Sequence, residues 1–163
     1  HTYAVGLSLK EENIPEFKRR FEQYVIENID REQLVPQIDI DRELDFSEIN
    51  SDLLANLKLL NPFGPGNQKP VFVTKNVYDY GTSKLVGRTS EHIKLELVDS
   101  KSDVVMNGIA FNMSEYFEHI KAHKPFEICY TIEENKRAAS NNIQLLIKGI
   151  RPITDDAEQG TDL

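Results

Sequence analysis

Hydrophobic residues in the first thirty positions follow two different periods. Alternating apolar residues over 5–9 predict a short strand at the start of the chain. Asn13 and Pro15 then provide a helix start, and the period lengthens to that of an amphipathic helix over about 14–29. The apolar positions of this predicted helix are Ile14, Phe17, Phe21, Tyr24, Val25 and Ile29.

The next thirty residues repeat this order of a strand followed by a helix. Ile38 and Ile40 alternate with aspartates, which is typical of an edge or connecting strand. Ser47 can cap a second helix, whose apolar face must pack on the rest of the first module. The apolar residues of this second helix are Ile49, Leu53, Leu54, Leu57 and Leu60.

A stretch rich in proline and glycine over 61–70 interrupts the regular patterns. Its three prolines and two glycines exclude a helix or a central strand. We therefore predict a first module over 1–60, a connector over 61–70 made rigid by Phe63 plugging into a core, and a second module over 71–153. The acidic residues 154–163 offer nothing to bury and are predicted to form a disordered tail.

The second module has the strand period of two almost throughout. We predict a long first strand, bent near Gly81, then two strands, a short helix that begins at Ser114, and two more strands. Five strands with a helix between the third and the fourth are typical of an OB-fold barrel, so the predicted fold class is α+β. The predicted strands cover 71–86, 92–98, 103–112, 125–133 and 142–151.

Charge is distributed unevenly along a chain whose formal net charge is −8. Phosphate binding depends on Lys and Arg, so this balance argues against a general affinity for nucleic acid. Residues 68–151 nevertheless carry 12 basic and 10 acidic groups, and only this segment has a positive balance. A nucleic-acid surface would therefore have to be a local basic cluster.

The cysteine content and the apolar runs limit the class of protein further. Cys129 is the only cysteine, so no internal disulfide can form, and a reducing compartment such as the cytoplasm is expected. Cys129 alternates with apolar residues and is predicted to be an inert strand cysteine. No apolar run reaches the roughly 20 residues that cross a bilayer. The first residues resemble neither an initiator methionine nor a signal peptide, which suggests a fragment of a longer protein.

Basic residues in the second module lie where OB barrels bind their ligands. The loop between the first two strands holds Arg88, and the loop between the last two holds Lys136 and Arg137. His92 and Lys94 alternate with apolar residues and should face outward from the second strand. On the last strand, the residues that could extend the same track are Lys148 and Arg151.

Exposed aromatic residues would let bases stack, and the sequence leaves few candidates. Tyr78 and Tyr80 flank the predicted bend and stay undecided between core and surface. The other aromatic residues of the strands are predicted to be core, and they are Phe72, Phe111, Phe126 and Tyr130. His119 and His123 have a spacing that can bind metal on a helix, but the helix is expected to end there, so no metal site is predicted.

Several short motifs resemble a known family. His1-Thr2-Tyr3-Ala4-Val5-Gly6 resembles the end of the Gly-Gly-His-x-x-Ala-Ala-Gly motif of the DHH-associated domain in DHH phosphoesterases. The motifs that follow are similar in order and spacing to the C-terminal half of RecJ exonucleases, up to Pro152. They are Glu12-Asn13, Ile38-Asp39, Glu43-Leu44, Pro62-Phe63-Gly64, Gly66-Asn67, Pro70, His92-Ile93-Lys94-Leu95, Gln144-Leu145 and Ile150-Arg151-Pro152.

The resemblance implies a fold, a function and partners. It implies that 1–60 is part of a DHH-associated domain and that the barrel grips DNA for a 5′-to-3′ exonuclease specific for single strands, acting in repair and recombination. Catalysis would belong to an upstream DHH domain that binds Mn²⁺ or Mg²⁺, and His1 would contact substrate phosphate near that centre. Implied partners are single-stranded DNA, the catalytic domain, and single-strand-binding or helicase proteins.

A different class of function also fits the sequence. The barrel could dock a partner repair protein through its acidic surfaces, and the net charge favours this alternative. Binding of an unstructured oligonucleotide at low salt distinguishes the two hypotheses. A third hypothesis, that the chain is a nuclease by itself, predicts cleavage with manganese or magnesium.

Overall fold

The computed structural model of the chain describes residues 4–30, 36–135 and 143–153. The chain divides into two compact units, His1–Ile38 and Asp39–Leu163. Sequence analysis put the boundary at the connector 61–70, whereas the structure groups 39–60 with the barrel. The reason is hydrophobic burial, because one core cluster contains the strands together with Leu44, Phe46, Ile49 and Leu54.

The described residues of the first unit form one α-helix. A 3₁₀ turn, Glu11–Asn13, leads into α1, Ile14–Asn28, with a proline in its first turn. The helix predicted over 14–29 is therefore confirmed. Residues 4–10 have no regular structure, so the strand predicted over 5–9 was wrong for this stretch.

A strap formed by residues 39–60 connects to the barrel by a short strand and a helix. Strand β1, Arg42–Glu43, pairs in parallel with the start of the barrel's first strand. The strand predicted at Ile38 and Ile40 was wrong in position, because residues 36–41 have no regular structure. Helix α2, Ser51–Leu59, follows a 3₁₀ turn over Phe46–Glu48.

Asn50, and not Ser47, caps α2. The backbone N–H of Leu53 donates to Asn50 Oδ1 at 3.0 Å, which satisfies one of the amides left open at a helix start. Ser47 lies in the preceding 3₁₀ turn, and Ile49 is buried ahead of the helix. The prediction of Ser47 as the cap was wrong, because Asn50, three residues later, is also a good capping residue and is the one that the helix uses.

Six further strands of the described residues build a closed barrel. Strand β2 pairs with both β6 and β4, and the pairs β6–β7, β7–β5 and β5–β4 complete the circuit. Strand β3 continues β2 after a bend at Gly81, so the barrel counts five strands in this part of the chain. The strands are β2 Phe72–Asp79, β3 Lys84–Val86, β4 His92–Asp99, β5 Met106–Ala110, β6 Phe126–Glu134 and β7 Ile143–Pro152.

These strands and the helix between β5 and β6 confirm the predicted barrel and fold class. A 3₁₀ turn, Ser114–Tyr116, leads into α3, Phe117–Lys121. The partly buried ion pair between Lys121 Nζ and Asp79 Oδ2, at 2.8 Å, connects α3 to the end of β2. Lys121 also donates to Gly81 O at 2.9 Å, so α3 fixes the bend that sets the position of β3.

The barrel interior follows the predicted alternation. Ile93, Leu95 and Leu97 of β4 are fully buried. Tyr130 is also fully buried, as predicted, and burial raises its pKa far above the usual value. Thr74 Oγ1 donates to Leu44 O at 2.7 Å, so the Tyr130 hydroxyl must donate to Thr74 Oγ1, also at 2.7 Å.

Cys129 is a half-buried strand residue. Its Sγ lies 3.8 Å from Gly149 O, and burial raises the pKa of the thiol. A raised pKa lowers the fraction of reactive thiolate, which agrees with the predicted inert role.

Candidate nucleic-acid interface

The outer surface of the barrel across β3, β4, β5 and β7 presents a continuous row of side chains. The strand registers place Lys84 opposite Lys94, Lys94 opposite Ile109, and Ile109 opposite Leu146. Residues directly opposite in a sheet project from the same side. We call this surface, with the loop between β3 and β4, the outer face.

Lys84 and Lys94 bring like charges together on this outer face. Both are exposed, and no carboxylate of the described residues forms an ion pair with either ammonium group. Like charges directly opposite on an antiparallel pair destabilise the sheet. The pair therefore does not stabilise the sheet.

Arg88 extends the positive charge from β3 and β4 into the loop that joins them. It is exposed and has no ion-pair partner in the part of the chain that the structure describes. The loop around it is ordered, because Glu91 accepts hydrogen bonds from the Thr89 hydroxyl at 2.7 Å and the Thr89 N–H at 2.8 Å. These bonds lower the pKa of Glu91 and keep it ionised.

His92 and Phe111 form an aromatic pair at the end of β4. Their ring centroids lie 4.9 Å apart in an edge-to-face arrangement. The Asn112 N–H donates to His92 Nδ1 at 3.1 Å, so the proton of the neutral imidazole is on Nε2. His92 thereby holds the Phe111 ring, which is 50% exposed.

The prediction that Phe111 is core was therefore wrong. Met106, Gly108 and Ala110 of β5 point inward, so Asn107, Ile109 and Phe111 point outward. The apolar side chain of Phe111 favoured a place in the core. The alternation of side chains along the strand correctly predicts that it points outward. Phe72 and Phe126 are buried as predicted, whereas Tyr80 is exposed and Tyr78 is half-buried.

A groove of about 440 Å³ begins at Phe111 and crosses the outer face. Half-buried Ile109 and Leu146 form its floor. Its far side is polar and is formed by Glu133, Glu134, Asn135 and Gln144.

Two lysines neutralise the carboxylates beside this groove. Lys69 Nζ lies 2.7 Å from Glu133 Oε1, and Lys58 Nζ lies 2.9 Å from Glu134 Oε2. Because Lys58 belongs to α2 and Lys69 to the connector before β2, both the strap and the connector contribute to the electrostatics of the groove. A polyanion approaching the outer face therefore meets less negative charge than the sequence suggests.

Lys148 and Arg151 of β7 differ in their surroundings. Lys148 is exposed at a β-bulge, one residue beyond the last pair between β5 and β7, and has no ion-pair partner within the described ranges. Arg151 Nε donates to Glu127 Oε2 at 2.7 Å across the β6–β7 pair. The predicted track thus includes Lys148, while the charge of Arg151 is already compensated.

Ion pairing separates the cations of the second unit into two groups. Seven are paired with carboxylates: Arg42, Lys58, Lys69, Lys75, Lys101, Lys121 and Arg151. Of the five unpaired cations among its described residues, Lys124 lies between α3 and β6. The other four belong to the outer face: Lys84, Arg88, Lys94 and Lys148.

Three predicted site residues, His1, Lys136 and Arg137, lie outside the described residues. The structure brings Arg88, His92, Lys94 and Lys148 to one face. Sequence analysis missed Lys84, because its importance depends on the register with Lys94.

The described residues do not fit a bound metal ion. They contain no group of three or more His, Cys, Asp or Glu side chains that could hold one. His119 Nε2 lies 3.1 Å from Pro125 O, and the His119 ring contacts Phe126. Among the same residues, no helix is long and apolar enough to span a bilayer.

The closed five-stranded barrel, with α3 between its third and fourth strands, is an OB-fold domain. Domains of this class bind oligonucleotides or oligosaccharides on strands two and three and on the adjoining loops. A family profile described as the RecJ OB domain matches residues 40–149. The chain belongs to this family.

Longer proteins with related sequences carry the same family name. The chain is 28% identical over 155 residues to the single-stranded-DNA-specific exonuclease RecJ of Haemophilus influenzae, covering 95% of this chain and 27% of that protein. It is 25% identical over 148 residues to the Bacillus subtilis protein of that name, covering 91% and 18%. The chain thus spans about a quarter or less of these relatives.

A solved structure has the same fold. RecJ from Thermus thermophilus, in complex with Mn²⁺, superposes with a TM-score of 0.70 at 18% identity, covering 91% of this chain and 20% of that one.

Proposed function

We propose that the outer face holds single-stranded DNA for a RecJ-type exonuclease that acts in DNA repair and recombination. The observation that carries this proposal is the cross-strand pair of Lys84 and Lys94, which has no carboxylate partner among the described residues. Phosphates crossing the sheet would relieve the repulsion between the two ammonium groups. Phe111 adds a surface on which a base can stack.

Hydrolysis itself is assigned to a catalytic domain beyond these residues. The similarity to RecJ exonucleases supports a 5′-to-3′ activity with Mn²⁺ or Mg²⁺ in that domain. His1 is proposed to contact substrate phosphate there, since an imidazole N–H can donate to a phosphate oxygen. Lys136 and Arg137, which lie between β6 and β7 in the sequence, are proposed to contact the strand as well.

Reversing the charge of Lys84 tests the role of the lysine pair. In Lys84→Glu the new carboxylate faces Lys94, so the free energy of unfolding should rise by about 0.2–1 kcal/mol. Affinity for an unstructured DNA strand of about 12 nucleotides should fall. We expect about a tenfold loss at low salt, equivalent to about 1.4 kcal/mol, measured by fluorescence anisotropy.

Lys101→Glu is the matched control, because it changes the net charge equally. Lys101 follows the opposite end of β4 from His92, and its ammonium group lies 2.9 Å from Asp45 Oδ1. This variant should lose stability and keep its DNA affinity. Equal DNA affinity in Lys84→Glu and the parent would contradict the proposal, and a protein partner captured without DNA binding would favour the interaction module.

A further inference from the structure

The groove beside Phe111 has the properties of a site for one unstacked nucleobase. Its floor is apolar, although Ile109 and Leu146 lie on the outer side of the barrel, where strands usually carry polar residues. Phe111 and Glu133 line opposite ends of the groove. Glu133 lies opposite Gln144, two residues before Leu146, and Phe111 follows Ile109 by two residues, so a base on the apolar floor would lie between them.

The charged residues around the groove indicate how a nucleotide would be oriented in it. Lys94 is directly opposite Ile109 in the β4–β5 pair, and Lys148 lies two residues beyond Leu146 on β7. Both ammonium groups lack ion-pair partners in the described part of the chain. A nucleotide would place its base on the apolar floor and its phosphates toward these lysines.

Glu133 gives the groove a means to distinguish bases. Its Oε1 atom accepts from Lys69 Nζ at 2.7 Å, and Oε2 has no hydrogen-bond partner among the described residues. The exocyclic amino groups of cytosine and adenine donate hydrogen bonds, and guanine carries such an amino group as well. At the same position as the cytosine amino group, uracil and thymine carry an oxygen. Their one donor on that edge, N3–H, lies between two carbonyl oxygens that would oppose a carboxylate, whereas the cytosine amino group extends beyond the ring.

We propose that this groove binds one nucleobase of a single strand against Phe111 and that Glu133 selects bases with an exocyclic amino group over uracil and thymine. The inference rests on the proposed function, since it assigns a base site to the same outer face. Glu133 is a specificity-determining residue, and Phe111 supplies affinity that does not depend on base identity.

Oligodeoxycytidine and oligodeoxyuridine of equal length provide the test, because their bases differ only at the edge that Glu133 would read. The 163-residue chain should bind oligodeoxycytidine about tenfold more tightly in anisotropy titrations at neutral pH. Glu133→Gln keeps an oxygen for Lys69 and can present an amide N–H to the uracil oxygen. This variant should lose or invert the preference while its thermal unfolding stays close to that of the parent.

Phe111 variants separate base stacking from base selection. Phe111→Ala should weaken binding of both oligonucleotides, and Phe111→Tyr, which keeps an aromatic ring, should restore it. Equal affinity of the parent for the two oligonucleotides, or an unchanged preference in Glu133→Gln, would overturn the inference. If both oligonucleotides bind equally and Lys84→Glu still weakens them, only the base site fails; if neither binds, the proposed function fails too.

Discussion

Asp99 shows how one buried carboxylate can hold two parts of the second unit together. Its Oδ2 accepts from the Phe46 N–H of the strap at 2.6 Å, and its Oδ1 accepts from the N–H groups of Lys101 and Ser102 at 3.0 and 2.6 Å. Burial alone raises the pKa of Asp99, but the hydrogen bonds outweigh it and hold the pKa below the usual value. The ionised form is therefore part of the folded structure.

Replacing Asp99 by Asn should destabilise the protein in a manner that depends on pH. Loss of hydrogen bonds to a charged acceptor should lower the unfolding free energy by about 1.5–3 kcal/mol at neutral pH. Because the folded pKa is depressed, the unfolded state binds more protons between the two pKa values, and stability there rises with pH. The contribution of Asp99 is thus complete above the unfolded pKa of about 3.9 and disappears as the pH falls through the lower folded value.

Urea denaturation from neutral to acidic pH measures this effect. The difference between the parent and Asp99→Asn should shrink below about pH 4. Asp103→Asn, at an exposed carboxylate in the same loop, should stay within about 0.5 kcal/mol of the parent throughout. A difference for Asp99→Asn that is constant with pH would show that its charge does not contribute to folding.

At the scale of elements, helix α2 packs against the barrel with one side and exposes the other side to solvent. Leu54 is buried in the shared core cluster, whereas Leu59 on the same helix is 81% exposed. The strap therefore contributes residues to the core of the barrel, although the sequence patterns predicted a complete barrel from residues 71–153 alone. This packing explains why the boundary between the two compact units lies before the strap, between Ile38 and Asp39, and not after it.

Two leucine substitutions on α2 test whether the strap and the barrel fold together. Leu54→Ala should lower the unfolding free energy by about 2–5 kcal/mol, because it leaves a cavity in the core. Leu59→Ala changes the same helix by the same atoms and should stay within about 0.5 kcal/mol of the parent. A single thermal transition that shifts as a whole in Leu54→Ala is expected, and two separate transitions would contradict a common core.

Local patterns predicted the barrel strands well where the two sides of a strand differ strongly. The alternation in β4 correctly predicted both the buried Ile93, Leu95 and Leu97 and the outward Lys94. It failed at β5 and the residue that follows it, because the outward Ile109 and Phe111 are more apolar than the inward Gly108 and Ala110. An added Cβ at Gly108 would lie 3.4 Å from Leu145 O and 3.5 Å from Leu95 Cβ, so the interior beside β5 is already filled by neighbouring strands, a tertiary contact that no local pattern contains.

At the scale of the whole molecule, the acidic net charge conceals a separation of charges. The paired cations stabilise the strap, the connector and the β6–β7 pair, and the unpaired ones of the outer face stay available. A net charge of −8 keeps other surfaces repulsive to a polyanion. Such a molecule should bind DNA in one place and lose that binding steeply with salt.

The salt dependence of binding measures how many of these cations contact phosphate. For single strands, the slope of log Kobs against log salt concentration is about −0.7 for each phosphate neutralised. Replacing both Lys94 and Lys148 by Ala should therefore make the slope shallower by about 1.4, whatever Lys136 and Arg137 contribute. Lys101→Ala, which removes a cation already bound to Asp45, should leave the slope unchanged. If the double variant lost affinity at an unchanged slope, the two lysines would act through the shape of the face and not by neutralising phosphate.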